Sequence, residues 1–188
     1  MSGEAESRRA AFEAEALPHL DHLYGAAAHL CGDRDRASDL VQETLLRAYR
    51  FFDRYERGTN CRAWLLTILH NTFRNVYRAG QKERGRVDID DSVAAREATE
   101  AAGEPGDPES VVLDAMLDDE IAAALADLPE EFRAAIVLVD MNELTYEQSA
   151  KALECPVGTV RSRLSRGRRL LERRLRSYAT ERGLGKRQ

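Results

Sequence analysis

Apolar positions along this chain recur at intervals of three and four, the repeat of a helix that buries one face. From Phe12 to Leu30 the recurring residues are Phe12, Leu20, Leu23, Tyr24, Ala27 and Leu30, and Cys31-Gly32-Asp33 supplies a stop. A second helix is expected over about 36–54, with Leu40, Val41, Leu45, Ala48 and Phe52 in one stripe and Asp39, Gln42, Glu43, Leu46 and Arg47 on its other face. Arg57-Gly58-Thr59-Asn60 reads as a loop, because Gly and Asn accept turn conformations that helix interiors penalise. A third helix is expected over about 62–82, burying Trp64, Leu65, Ile68, Leu69, Thr72 and Val76.

The periodicity lapses from Gly85 to Asp107, where acidic residues and breakers predict a flexible linker. It resumes with Val112, Leu113, Met116, Leu117, Ile121, Leu125 and Leu128. Pro129 then starts a helix at a position that suits its missing N–H, and Phe132, Ala135, Ile136 and Val139 face the core. Thr145-Tyr146-Glu147-Gln148 has the pattern of a capping box opening a short helix that ends near Leu153. After Glu154-Cys155-Pro156 the last helix runs from about Val157 to Tyr178. The expected fold is all-α: two small helical domains, 1–86 and 109–188, joined by a flexible acidic linker, 87–108.

Composition supports helix over strand, since Ala, Leu, Arg and Glu dominate and aromatics are only 6%. Charge adds more once it is divided along the chain. Residues 1–87 carry a net +2, 88–120 a net -11 and 121–188 a net +4, so the overall -5 hides two mildly basic bodies around an acidic strip. Within 156–176 there are eight Arg and one Glu, an electrostatic footprint for phosphate. No apolar run approaches the roughly 20 residues that span a bilayer, and the first residues are too charged for a secretory signal, so no membrane insertion and a cytoplasmic location are expected. Cys31, Cys61 and Cys155 are scattered, without a C-x-x-C pair, and neither a metal nor another cofactor is expected. The sequence has no phosphate-binding G-x-x-x-x-G-K-[ST] loop and no nucleophile-base pair, and is not read as an enzyme.

Two helices separated by a turn of three or four residues, with Ala150 and Leu153 buried against Val160 and Leu164, describe a helix-turn-helix whose second member enters the major groove. On that geometry Arg161, Ser162, Ser165 and Arg166 lie near base edges, where a bidentate Arg discriminates by about 1–3 kcal/mol. Thr159, Arg163, Arg168 and Arg169 are placed for phosphates, which position the protein without specifying sequence. In the first body Asn71, Arg74, Asn75, Tyr77 and Arg78 recur at helical spacing opposite the Trp64 stripe. Cations, amides and an aromatic on one face suit single-stranded nucleic acid, because any base can stack on a ring while cations follow the backbone.

Three stretches, DLVQETLLRAY, GTNCRAWLLTILHNTFRNVYR and LPEEFRAAIVLVDMNELTYEQSAKALECPVGTVRSRLSRGRRLL, resemble regions two and four of extracytoplasmic-function (ECF) sigma factors, in that order and at the usual separation. The resemblance implies that Asp39, Gln42, Glu43 and Leu46 dock on the β′ clamp helices of core RNA polymerase. It implies that the loop from Tyr55 to Arg62 captures a flipped base of the −10 element. The strand-capturing set is then Tyr55, Asn60, Arg62, Trp64, Asn71, Arg74, Tyr77 and Arg78. The linker corresponds to the segment threading toward the RNA exit path, and the last body to the unit that reads the −35 element and grips the β flap. Cys155 stands where many relatives carry a small hydroxyl residue able to cap the recognition helix. The block FDRYERGTN…AWL…NTF…YR with LPEEFR resembles branches held by stress-sensing anti-sigma proteins, some of them zinc-binding, which implies such a partner. Two other readings compete: a stand-alone helix-turn-helix regulator, and an interaction protein that sequesters polymerase without reading DNA.

Overall fold

The computed structural model describes residues 2–84 and 120–181, and side chains for 6–75 and 120–176. The linker, 87–108, lies outside them. Every regular element among the described residues is helical, as the sequence predicts.

The first body holds α1 (Ser2–Ala16), α2 (Leu20–Cys31), α3 (Arg34–Arg50) and α4 (Cys61–Arg84). The single helix expected from Phe12 to Leu30 is in fact two, broken by a 3-10 turn at Leu17–His19. Pro18 causes the break, since it has no N–H to donate and crowds the residue before it out of the α conformation. Beyond the break, α2 ends where Gly32 turns left-handed at φ 64° and returns its N–H to the Ala28 carbonyl. Asp33 then caps α3 by accepting from the Arg36 N–H at 2.9 Å. Phe12 meets Tyr49 and Phe52 edge-on, both at 5.3 Å, which fastens α1 across the end of α3. Arg8 reinforces the attachment, donating to the Tyr49 carbonyl at 2.8 Å and pairing with Asp53 at 3.1 Å.

The second body holds α5 (helical over 120–126), α6 (Glu130–Ile136), α7 (Tyr146–Ala152) and α8 (Val157–Glu181). Past Ile136 the backbone widens into a π turn, Val137–Met141, and the Asn142 side chain donates to the Val137 carbonyl at 2.8 Å. The capping box forms as read: the Gln148 N–H donates to Thr145 Oγ1, and the Thr145 N–H to Gln148 Oε1. Leu153, Val160 and Leu164 are buried between α7 and α8. Gly167 lets α6 close on α8, because a Cβ there would sit 3.0 Å from Ile136 and 3.2 Å from Phe132.

The two bodies are docked on one another. Helix α4 packs against α7, and α2 against α6 and the π turn, so one continuous apolar core runs through both. The sequence stripe of α4 therefore understates its burial. Leu66, His70 and Phe73 are also buried, while Trp64 and Ile68 are only half-buried.

Candidate nucleic-acid interface

The exposed face of α8 follows from the packing of its apolar stripe. With Val160, Leu164 and Gly167 turned inward, Arg161, Ser162, Ser165, Arg166 and Arg169 are left exposed. Arg161 lies over the Tyr146 ring at 5.5 Å, a cation–π contact that holds the guanidinium near the mouth of the helix pair. Tyr146 carries no signal of this role in the sequence beyond its place inside the capping box. A cleft of about 390 Å³ opens between α7 and α8, lined by Tyr146, Arg161, Ser165, Arg168 and Arg169, with Glu172 at one side.

Two arginines expected at phosphates are tied down within the body. Arg168 forks onto Asp140 through Nε at 2.9 Å and Nη2 at 2.5 Å, and that hydrogen bonding holds its pKa above the ordinary range. Arg163 is half-buried, pairs with Glu131 at 3.1 Å and points a second nitrogen at Cys155 Sγ. Thr159 is half-buried, and its carbonyl accepts from Ser162 Oγ at 2.9 Å.

In the first body the loop between α3 and α4 is braced from beneath. Tyr55 is buried, stacked on Phe52 at 5.9 Å and tilted against Trp64 at 4.9 Å. Its hydroxyl donates to the Thr59 carbonyl at 2.9 Å, and burial pushes the phenol pKa up. Thr59 in turn donates to the Glu56 carbonyl, Gly58 takes φ 84°, and Asn60 Oδ1 accepts from the Ala63 N–H, capping α4. Residues 56–60 thus stand as an exposed, internally bonded ridge on an aromatic base.

The face of α4 expected to meet a strand is covered by the second body. Arg62 pairs with Glu143 at 3.5 Å and Arg74 with Glu154 at 2.5 Å. Between them His70, 3% exposed, has Nδ1 3.1 Å from the Ala152 carbonyl. Burial, and after it the cations of Arg74 and Arg163, lower its pKa to about 4, against the carbonyl contact and Glu154, which raise it. Asn71 and Arg74 are half-buried, Asn75 is exposed, and the side chains of Tyr77 and Arg78 lie outside the described residues. Nothing in the sequence marks His70, Glu143 and Glu154 as an interface.

On α3, Asp39, Gln42 and Leu46 are exposed on one side, Leu46 to 56%. Glu43 is half-buried and held by Arg47 at 2.7 Å. Among the described residues no group of three His, Cys, Asp or Glu could hold a metal, and burial pushes the Cys31 and Cys61 thiols up, away from reactive thiolate. No described helix is long and apolar enough to cross a membrane.

Comparison with known proteins decides the family. The Sigma-70 region 2 model matches residues 17–83 and the Sigma-70 region 4 model matches 118–171. The curated ECF RNA polymerase sigma factor EcfG of Rhodopseudomonas palustris is 40% identical over 152 residues, 81% of this chain and 78% of that one. The chain belongs to the ECF branch of the sigma-70 family. This sigma factor is also 37% identical to the ECF RNA polymerase sigma factor SigE of Mycolicibacterium smegmatis, matching 87% of its own length but spanning only 61% of that relative. Among solved structures it is similar to the sigma factor RpoE bound to the anti-sigma factor NepR from Bartonella quintana, with a TM-score of 0.69, 32% identity, and coverage of 88% and 96%. The fold also matches CnrH in complex with the cytosolic domain of CnrY, at a TM-score of 0.60 and 24% identity. Sigma factors are transcription initiation factors, and the break between the two matched regions falls on the acidic stretch of this chain.

Proposed function

We propose that this sigma factor binds core RNA polymerase and directs it to promoters by reading two elements with two bodies, without covalent chemistry of its own. Helix α8 reads the −35 duplex through Arg161, Ser162, Ser165 and Arg166. Arg169 supplies phosphate contact, and Arg163 and Arg168 hold the helix in its body while lending charge. The ridge 56–60 and the Arg62, Asn71 and Arg74 face of α4 take the unpaired −10 strand, with Tyr55 and Trp64 forming the base on which the ridge rests. Opening costs about 1.4 kcal/mol per base-pair step, so a few captured bases can hold a short bubble. The exposed Asp39, Gln42 and Leu46 of α3, with Glu43, dock on polymerase. The observation that carries the reading is that one chain holds both an exposed cationic helix-turn-helix face and a second cation-amide face on a separate body.

A cytoplasmic location follows from partnership with polymerase. Control by an anti-sigma factor is proposed from the likeness to the NepR-bound relative. Reconstituted transcription tests the reading: core polymerase plus this chain on a promoter library should yield specific start sites sharing two spaced motifs. Strong operator binding without polymerase, and no start-site selection with it, would instead indicate a stand-alone regulator.

A further inference from the structure

One face of α1 touches both ends of the loop that joins α3 to α4. Arg8, Phe12 and Glu15 are spaced by four and three residues, so they line up along the helix over about 10 Å. Arg8 meets the chain where α3 ends. Its guanidinium donates to the Tyr49 carbonyl at 2.8 Å and to the Arg50 carbonyl at 3.4 Å, in the last turn, where a helix leaves its carbonyls without partners. It also lies over the Tyr49 ring at 4.9 Å and pairs with Asp53, in the 3-10 turn Phe52–Arg54 that leads into the loop.

Glu15 meets the other end. Its Oε2 is 3.4 Å from the Tyr55 hydroxyl, and its charge, after burial, raises the pKa of the Cys61 thiol at the first position of α4. A phenol has one hydrogen to give, and the Tyr55 hydroxyl gives it to the Thr59 carbonyl at 2.9 Å. Glu15 is a second acceptor for that hydrogen, so its place governs how Tyr55 is shared between the helix and the loop. Phe12 and Ala16 seat α1 on the bundle by burial. The charged groups on either side of Phe12 act on the loop instead, one at its entry and one at its base. All three residues of this face precede residue 17, where the match to the region 2 model begins.

We propose that α1 sets the shape of the loop that presents the ridge 56–60, with Arg8 and Glu15 as positioning residues for the choice of base in the unpaired −10 strand. This rests on the reading of the ridge as the strand-capturing loop. Arg8 fixes the point at which the chain leaves α3, and Glu15 fixes Tyr55, from whose hydroxyl the Thr59 carbonyl is held. Neither residue touches the strand. Loss of either leaves the ridge attached but displaced, so that bases are still captured with a changed preference.

The test uses the full chain and two variants, Glu15→Gln, which keeps the side chain's shape and removes its charge, and Arg8→Ala. Trp64 is the chain's single tryptophan and its ring lies 4.9 Å from that of Tyr55, so its emission reports on the base of the ridge. Both variants should shift Trp64 emission in the free chain. With core polymerase, both should change the relative use of promoters that differ at one −10 base by roughly three- to tenfold, the scale of one hydrogen bond. Relative use of promoters that differ in the −35 element should stay unchanged. Should Arg8→Ala fail to fold, Glu15→Gln alone decides. Unchanged −10 preference in Glu15→Gln overturns the proposal, and so does an equal change at both elements, the mark of a general loosening. A changed preference with unmoved Trp64 emission overturns it as well, since the effect would then bypass Tyr55. Failure of the wild type to select start sites would count against the sigma-factor reading instead, and the emission shift, measured without polymerase, does not depend on that reading.

Discussion

His70 shows how one residue can record the state of the whole interface. The imidazole is neutral in the docked form, with a pKa lowered to about 4 chiefly by burial, next by the Arg74 and Arg163 cations, against Glu154 and the Ala152 carbonyl. Because the docked value lies below the ordinary 6.5, the packing it supports is complete above that pH and is lost progressively as pH falls toward 4. Thermal stability measured from pH 7 to pH 5 should therefore decline. His70→Gln should flatten that decline, and parallel profiles for the two proteins would refute the assignment. On α8, Arg161→Ala should change discrimination at one upstream base pair by about 1–3 kcal/mol, measured as relative affinity across a promoter library in the presence of polymerase. Arg163→Ala should act differently. It removes the pair with Glu131 and should lower the melting temperature as well as affinity, whereas Arg161→Ala should leave melting nearly unchanged.

At the level of elements, much was legible because local chemistry decides it. The Thr145 and Gln148 capping box, the Gly32 stop and the loop closed by Asn60 are side chains and backbone meeting within a few residues. Thr145→Ala should accordingly cost about 1 kcal/mol in chemical denaturation. The Pro18 break was legible in principle, since proline disfavours helix at the residue before it, but apolar spacing on both sides of it reads as continuous. The π turn at Val137–Met141 has no such signature; the Asn142 side chain donates back to the Val137 carbonyl, a contact that apolar spacing does not announce. Gly167 sits where an added Cβ would meet Ile136 and Phe132 of α6, a contact between residues roughly 30 positions apart that no local signal announces. Gly167→Leu should destabilise the second body by roughly 1–3 kcal/mol through overpacking, a loss that denaturation would reveal.

For the molecule as a whole, the all-helical architecture and its two bodies were readable from helix periodicity and from the acidic stretch between them, but their docking was not. Leu66, His70 and Phe73 lie off the stripe that periodicity finds in α4 and are buried all the same, His70 beneath α7 against the Ala152 carbonyl. The glutamates that pair with Arg62 and Arg74 are separated from them in sequence by about 80 residues, a distance over which charge patterning carries no pairing information. The docked arrangement covers the face of α4 that the proposed task assigns to DNA. Permanganate mapping of unpaired thymines, with core polymerase on a selected promoter, follows that task directly. The wild type should expose thymines across the −10 element. Asn71→Ala should retain upstream occupancy but lose their reactivity, and Arg161→Ala should lose upstream preference first. Equal reactivity with and without this chain, or identical defects in the two variants, would contradict the division of promoter reading between the two bodies.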